Sequence, residues 1–79
     1  MLASDEQYVN DFAAAFLGIA ERDPNGRVEF VKLFAVACEW LHMHHRPGMP
    51  IGAFNRLVRA SGLDVRHRPQ FVYGIRITY

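Results

Sequence analysis

MPIGAFNRLVRASGLDVRHRPQFVYGIRITY, residues 49–79, holds a helical period followed at once by an alternating one. Ile51, Phe54, Leu57 and Val58 recur at helical spacing and make an apolar face, while Gly52, Asn55, Arg56 and Arg59 fall on the opposite side. Pro50 suits the first turn, where its missing N–H has no partner to lose, and Gly62 suits the left-handed residue that ends a helix. A helix is therefore predicted over about 50–61. Val65 then opens a strand, Arg66, His67, Arg68, Pro69 and Gln70 make a turn, and Phe71, Tyr73, Ile75, Ile77 and Tyr79 alternate along a return strand. Val72, Gly74, Arg76 and Thr78 are expected to face the other way.

Upstream, Ser4 followed by Asp5, Glu6 and Gln7 is a helix start, with a capping hydroxyl and carboxylates in the first turn. Tyr8, Val9, Phe12, Phe16, Leu17, Ile19 and Ala20 carry an apolar face onward, predicting a first helix over about 4–22. Asp23-Pro24-Asn25-Gly26 has the composition of a turn. A second helix is predicted over about 28–43; it is apolar nearly all round from Phe30 to Leu41, as a central helix touched on several sides would be. His44 to Met49 break the pattern. The fold class expected is α+β and mostly helical, a winged helix-turn-helix in a single domain: three helices, then a two-stranded hairpin wing over about 64–79. Phe54 and Trp40 are expected in the shared core, where truncation of either to Ala costs about 3–5 kcal/mol.

Seventy-nine residues suffice for one modest core but not for a catalytic cleft with lids or a nucleotide-binding fold. The net charge of +1 hides a segregation. Residues 1–40 carry three cations against seven carboxylates, −4; residues 41–79 carry six arginines against Asp64 alone, +5. Such asymmetry is what a polyanion-binding face with an acidic back produces, the alternative being charge matching within the fold; every cation of the basic half is an arginine, whose planar fork favours phosphates and base edges and so the first reading. Cys38, the one cysteine, builds no disulfide and reads as a small buried hydrophobe. The most apolar stretch, Ala13 to Ala20, is too short to span a bilayer, and no charged-then-apolar leader is evident. The expectation is a cytoplasmic protein without a membrane partner.

The outward stripe of the 50–61 helix carries the functional expectation. Arg can bind guanine O6 and N7 through two hydrogen bonds, and Asn can pair with adenine N6 and N7, so Asn55, Arg56 and Arg59 suit a major groove, with Gly52 on the same face. Arg66, His67, Arg68 and Gln70 at the hairpin tip suit phosphates or a minor groove, and Arg46 and Arg76 suit further phosphates. Cys38 and His42 share a helical face near His44 and His45, but no second pair or carboxylate stands at ligand spacing, so neither metal nor cofactor is expected. No nucleophile elbow, phosphate-cradling glycine loop or HExxH is present, so no enzyme is expected. The partner expected is double-stranded DNA, bound as a homodimer or tandem array, or beside a replication or transcription protein. The competing reading is a protein-interaction module that docks through the aromatic strand or the first helix, to which Tyr8, Tyr73 and Tyr79 are suited.

From about Val9 to Tyr79 the chain resembles the C-terminal winged-helix region of phage and plasmid primase-helicases. The matching residues are VNDF, DPNGRV, LFAVACEW, PIGAFNRLVRASGL and YGIRI: a helix ending in Trp40, then Ile51 with Gly52, Phe54 and Leu57, Gly62 after the helix, and Tyr73-Gly74-Ile75. It departs from that family in the Pro50-Ile51-Gly52 run, which replaces the usual Ser or Thr cap, and in having no nucleotide-binding motor. The resemblance implies DNA binding at an origin or operator, by a small phage or plasmid regulator or by an excised fragment of a larger protein, and carries over no primase or helicase activity.

Overall fold

In a computed structural model, which describes residues 3–66 and 70–79, the chain is an α+β fold of three α-helices and one antiparallel sheet of three strands. A 3-10 segment, Ala3–Tyr8, leads into α1, Val9–Ile19; β1, Ala20–Glu29, follows, then α2, Phe30–Met43, and α3, Ile51–Ala60. Two strands close the sequence, β2, Asp64–Arg66, and β3, Phe71–Ile77. The sheet order is β1-β3-β2, so β3 is the middle strand.

The third strand corrects the sequence expectation. Ala20 to Glu29 does not finish a helix and turn; it pairs with β3 from Ala20 opposite Ile77 to Glu29 opposite Phe71. The α-helix stops at Ile19 because Ala20, after donating its N–H to the Phe16 carbonyl, turns extended, and the Ile19 carbonyl then accepts the N–H of Thr78 at 2.7 Å. The turn chemistry of Asp23 to Gly26 survives inside the strand as a bulge: pairing jumps from Arg22 opposite Ile75 to Arg27 opposite Tyr73. Asp23 Oδ1 accepts the Asn25 N–H at 3.0 Å, and a Cβ at Gly26 would collide with the Ile75 carbonyl. On the partner strand Gly74 takes φ +90°.

That irregularity resets the alternation of β3. Val72 and Ile75 point into the core, and Phe71 and Tyr73 lie half-buried on the outer face, where sequence spacing puts Ile75 with Phe71 and Tyr73. Val28, Val72 and Val65 stand opposite one another across the three strands and are all buried, so one face of the sheet is closed by the helices.

The helices depart from expectation in detail. The start at Ser4 winds as a 3-10 segment before the α-helix begins, with the Ser4 carbonyl accepting the Gln7 side-chain N–H at 3.0 Å. α2 buries a stripe, Phe30, Leu33, Ala37 and Leu41, and leaves Val31 and Met43 exposed, so it has a solvent face. Its N-terminus is tied to the hairpin by the Phe30 N–H donating to the Gln70 carbonyl at 3.0 Å. It ends in a Schellman motif: Arg46 N–H reaches the Leu41 carbonyl at 2.8 Å and His45 N–H the His42 carbonyl at 3.1 Å, with His45 itself at φ 55°. Pro50 stands just before α3 as its N-cap, and its carbonyl accepts the Phe54 N–H at 3.1 Å. α3 buries Ala53, Phe54, Leu57 and Val58, while Ile51, expected on that face, is exposed.

Phe54 is the centre of the core, with ring centroids 5.5 Å from Phe12, 5.8 Å from Phe30 and 5.3 Å from Phe34. These tilted and edge-on contacts add to area burial. Trp40 is instead half-buried at the rim, stacked on His44 with centroids 3.8 Å apart and pressed close to Gly18 of α1. An indole large enough to seal the α1–α2 contact fits there only because position 18 has no side chain.

Candidate nucleic-acid interface

α3 presents Gly52, Asn55, Arg56 and Arg59 together on its outer side; Asn55 is half-buried and the other three are exposed. The four follow from one helix whose opposite face is fixed in the core by Phe54, Leu57 and Val58. Arg59 Nε donates to Asn55 Oδ1 at 3.2 Å, an i, i+4 contact that ties the two side chains together.

Arg56 is held from outside the helix. Asp5, only 1% exposed in the 3-10 segment, accepts Arg56 Nε at 2.7 Å and Nη2 at 2.9 Å. This bidentate fork raises the guanidinium above its ordinary pKa, first through the hydrogen bonds and further through the carboxylate charge. Asp5 uses the inner edge of the fork. The donors on Nη1 and the second on Nη2 lie on the other edge, and Nη1 stands 3.4 Å from where a Cβ at Gly52 would be, an ordinary van der Waals distance.

The remaining arginines are spread over the surface. Arg46, in the link after α2, pairs with Asp11 of α1 at 2.9 Å. Arg66 pairs with Asp64 at 3.0 Å within β2 and lies over the Tyr73 ring, 4.4 Å from its centroid. Arg76, near the far end of β3, pairs with Glu21 across the strands and is raised in pKa by that hydrogen bond and charge. Gln70 is half-buried beside the start of α2. His67 and Arg68 lie outside the described residues. The structure thus brings the α3 residues together, puts Arg66 and Gln70 on the hairpin, and leaves Arg76 five residues along β3 from Phe71.

The charge segregation of the sequence resolves in part as pairing within the fold. Among the described residues the ion pairs of Arg46 with Asp11, Arg56 with Asp5 and Arg76 with Glu21 each join a cation of the basic half to a carboxylate of the acidic half. The exposed pairs, Arg46 with Asp11 and Arg76 with Glu21, add little stability each, but they neutralise the surface they occupy, whereas Arg56 with Asp5 is anchored on a buried carboxylate.

Asp5 has no role in the sequence reading beyond a first-turn carboxylate. Its burial depends on where the 3-10 segment meets α3, a contact with no local signature. Arg27 is likewise silent in the sequence, since only the third strand brings it over the Phe71 ring, 5.0 Å from the centroid. Among the described residues no cluster of His, Cys, Asp and Glu is arranged to hold a metal ion, and no helix is long and apolar enough to cross a membrane. No protein-family model matches the sequence, no curated protein matches it, and no solved structure matches it.

Proposed function

We propose that the chain is a double-stranded DNA-binding protein that lays α3 in the major groove. The observation carrying this reading is the outer face of α3, where exposed Arg56 and Arg59 and half-buried Asn55 stand on one stripe beside Gly52 while the opposite face is locked in the core. Asn and Arg are the side chains whose donors and acceptors match adenine and guanine edges, and a rigid helix is the element a major groove admits. Asp5 supports the reading by pre-orienting Arg56 with its outer fork edge still available, which lowers the entropy lost on contact.

The finer description of the fold is a winged helix-turn-helix. It is supported by the order helix, strand, helix, helix, hairpin, with β1 lying outside the return strand of that hairpin. In this arrangement α3 is the recognition helix, the β2–β3 hairpin is the wing, and Arg46, Arg66 and Arg68 meet phosphates. The role is that of a small regulator or origin-binding factor, of the kind the resemblance to the primase-helicase winged-helix region implies. One such domain makes few base contacts, so a dimer or tandem copies on repeated half-sites supply specificity.

Fluorescence anisotropy against a pool of random duplex DNA at two salt concentrations tests the reading. Binding with a negative log-log salt slope, about −0.9 for each phosphate neutralised, is the expected result. Absence of binding at low salt overturns it.

A second reading, a protein-interaction module, is favoured by one specific observation. Leu17 on α1 is 86% exposed and borders an apolar hollow of about 210 Å³ shared with Phe16, Ala20, Leu63 and Ile75. Light scattering after size exclusion, in wild type and in Leu17→Ser, separates the two: a dimer that the substitution dissolves assigns this hollow to an interface between copies.

A further inference from the structure

We propose that the outer face of the sheet is a second nucleic-acid site, one that takes unpaired bases and is separate from the α3 stripe. Phe71 and Tyr73 stand on the middle strand, face away from the core and keep part of their rings in solvent, with centroids 6.4 Å apart. Each ring lies under a guanidinium from a flanking strand. Arg27 of β1 is the cross-strand partner of Tyr73 yet reaches diagonally over Phe71, and Arg66 of β2 is the partner of Phe71 yet reaches over Tyr73.

Half-exposed aromatic rings on a sheet that is already closed on its other side by Val28, Val72 and Val65 do nothing for the core that a smaller residue would not do. Their chemistry is that of a stacking platform. Unstacked bases bind protein by lying on aromatic rings or guanidinium planes, with cations beside them for the phosphates. Both elements are present in alternation, with each guanidinium beside a ring.

The surface continues past the rings into a groove of about 500 Å³ between Arg27, Glu29, Lys32 and Arg76. Over the whole face four cations, Arg27, Lys32, Arg66 and Arg76, meet four carboxylates, Glu21, Asp23, Glu29 and Asp64, with Asp23 close enough to add its charge to that of Glu21 on Arg76. Two of these carboxylates, Asp64 and Glu21, are engaged by Arg66 and Arg76. Arg27 and Lys32 therefore set the sign of the groove against Glu29, and binding there is weak at high salt and stronger at low salt. A duplex has no use for the rings, because its bases are stacked on each other. The chemical class that fits is single-stranded DNA or RNA, read without sequence.

The test is anisotropy of labelled oligo(dT) of about 12 nucleotides, within the footprint of one small domain. It compares the wild type, the double substitution Phe71→Leu/Tyr73→Leu, and Asn55→Ala/Arg59→Ala on α3. Expected is salt-sensitive binding by the wild type, at least a tenfold loss in the ring variant and no loss in the α3 variant. Photocrosslinking of oligo(dT) to the wild type, mapped by mass spectrometry, is expected at Phe71 or Tyr73 and needs no variant to fold. No oligo(dT) binding, equal binding by a folded ring variant, or crosslinks confined to α3 overturns the proposal. The duplex-binding proposal is scored separately, on duplex DNA, so either can fail alone.

Discussion

Asp5 and Arg56 are 51 positions apart, yet the buried carboxylate takes two of the arginine's donors at 2.7 and 2.9 Å and so joins the first turn of the chain to the proposed recognition helix. The pair couples stability to function. In Asp5→Asn the side-chain shape is kept but the charge is gone and an amide N–H points at the guanidinium. Thermal unfolding is expected several degrees below wild type. Because one carboxylate no longer offsets Arg56, affinity for random duplex DNA is expected to rise at low salt while preference among sequences falls. An unchanged melting temperature would show that the pair contributes nothing to the fold.

Gly26 faces the Ile75 carbonyl so closely that any Cβ collides with backbone, which cannot swing aside as a side chain can. Gly26→Ala is expected to cost about 1–3 kcal/mol in chemical denaturation through this overpacking. Gly18→Ala meets the Trp40 ring instead, and the indole is displaced from its stack on His44. A change in tryptophan fluorescence with a smaller loss of stability distinguishes the second variant from the first.

The same glycines mark where the sequence stops being readable. α2 and α3 are legible within two residues because their buried positions recur at helical spacing, and the hairpin because Val65 and the 71–77 run bracket a turn. β1 is not legible. In AERDPNGRVE only Ala20 and Val28 are buried, so no alternation exists to detect, and the strand forms because β3 offers it a ladder from 42 or more residues away. The site divides likewise. The α3 stripe is local and can be read from spacing, whereas the neutralising partners Asp5, Asp11 and Glu21 and the ring-capping Arg27 depend on long-range register.

His45 occupies the left-handed position of the Schellman motif at φ 55°, where glycine is the usual residue. Left-handed backbone costs a non-glycine residue about 1–2 kcal/mol, and glycine gives back part of that through its freer unfolded chain. His45→Gly is therefore expected to stabilise the protein by about 0.5–1 kcal/mol. A loss of stability in denaturant titration would mean that the His45 side chain makes a contact worth more than the backbone strain.

Burial pushes the Cys38 thiol above its ordinary pKa of 9.0, since the thiolate loses solvation on α2. The native state thus disfavours the charged form, and the unfolded chain ionises first. Stability held through neutral pH is expected to decline as pH rises past about 9. Cys38→Ala removes that share of the decline, which a comparison of urea midpoints at pH 7.5 and pH 9.5 measures. Iodoacetamide labelling of the folded protein at pH 8 is expected to lag behind labelling of the unfolded chain.

Asn55 and Arg46 test the division of labour on the proposed DNA face. Asn55 sits on the α3 stripe, where its amide carbonyl accepts Arg59 Nε and its amide N–H groups remain for a base edge. Arg46 stands in the link before α3 and pairs with Asp11, an environment suited to a phosphate and not to base recognition. Once a preferred duplex has been selected, Asn55→Ala is expected to cost about 1–3 kcal/mol on that site and much less on unrelated duplexes, so that the ratio between them shrinks. Arg46→Ala is expected to weaken all duplexes alike and to reduce the salt slope by about one contact. The contrast matters more than either loss. If Asn55→Ala lowers affinity evenly across sequences, α3 does not read bases, and the arginines of the surface bind DNA as charge alone.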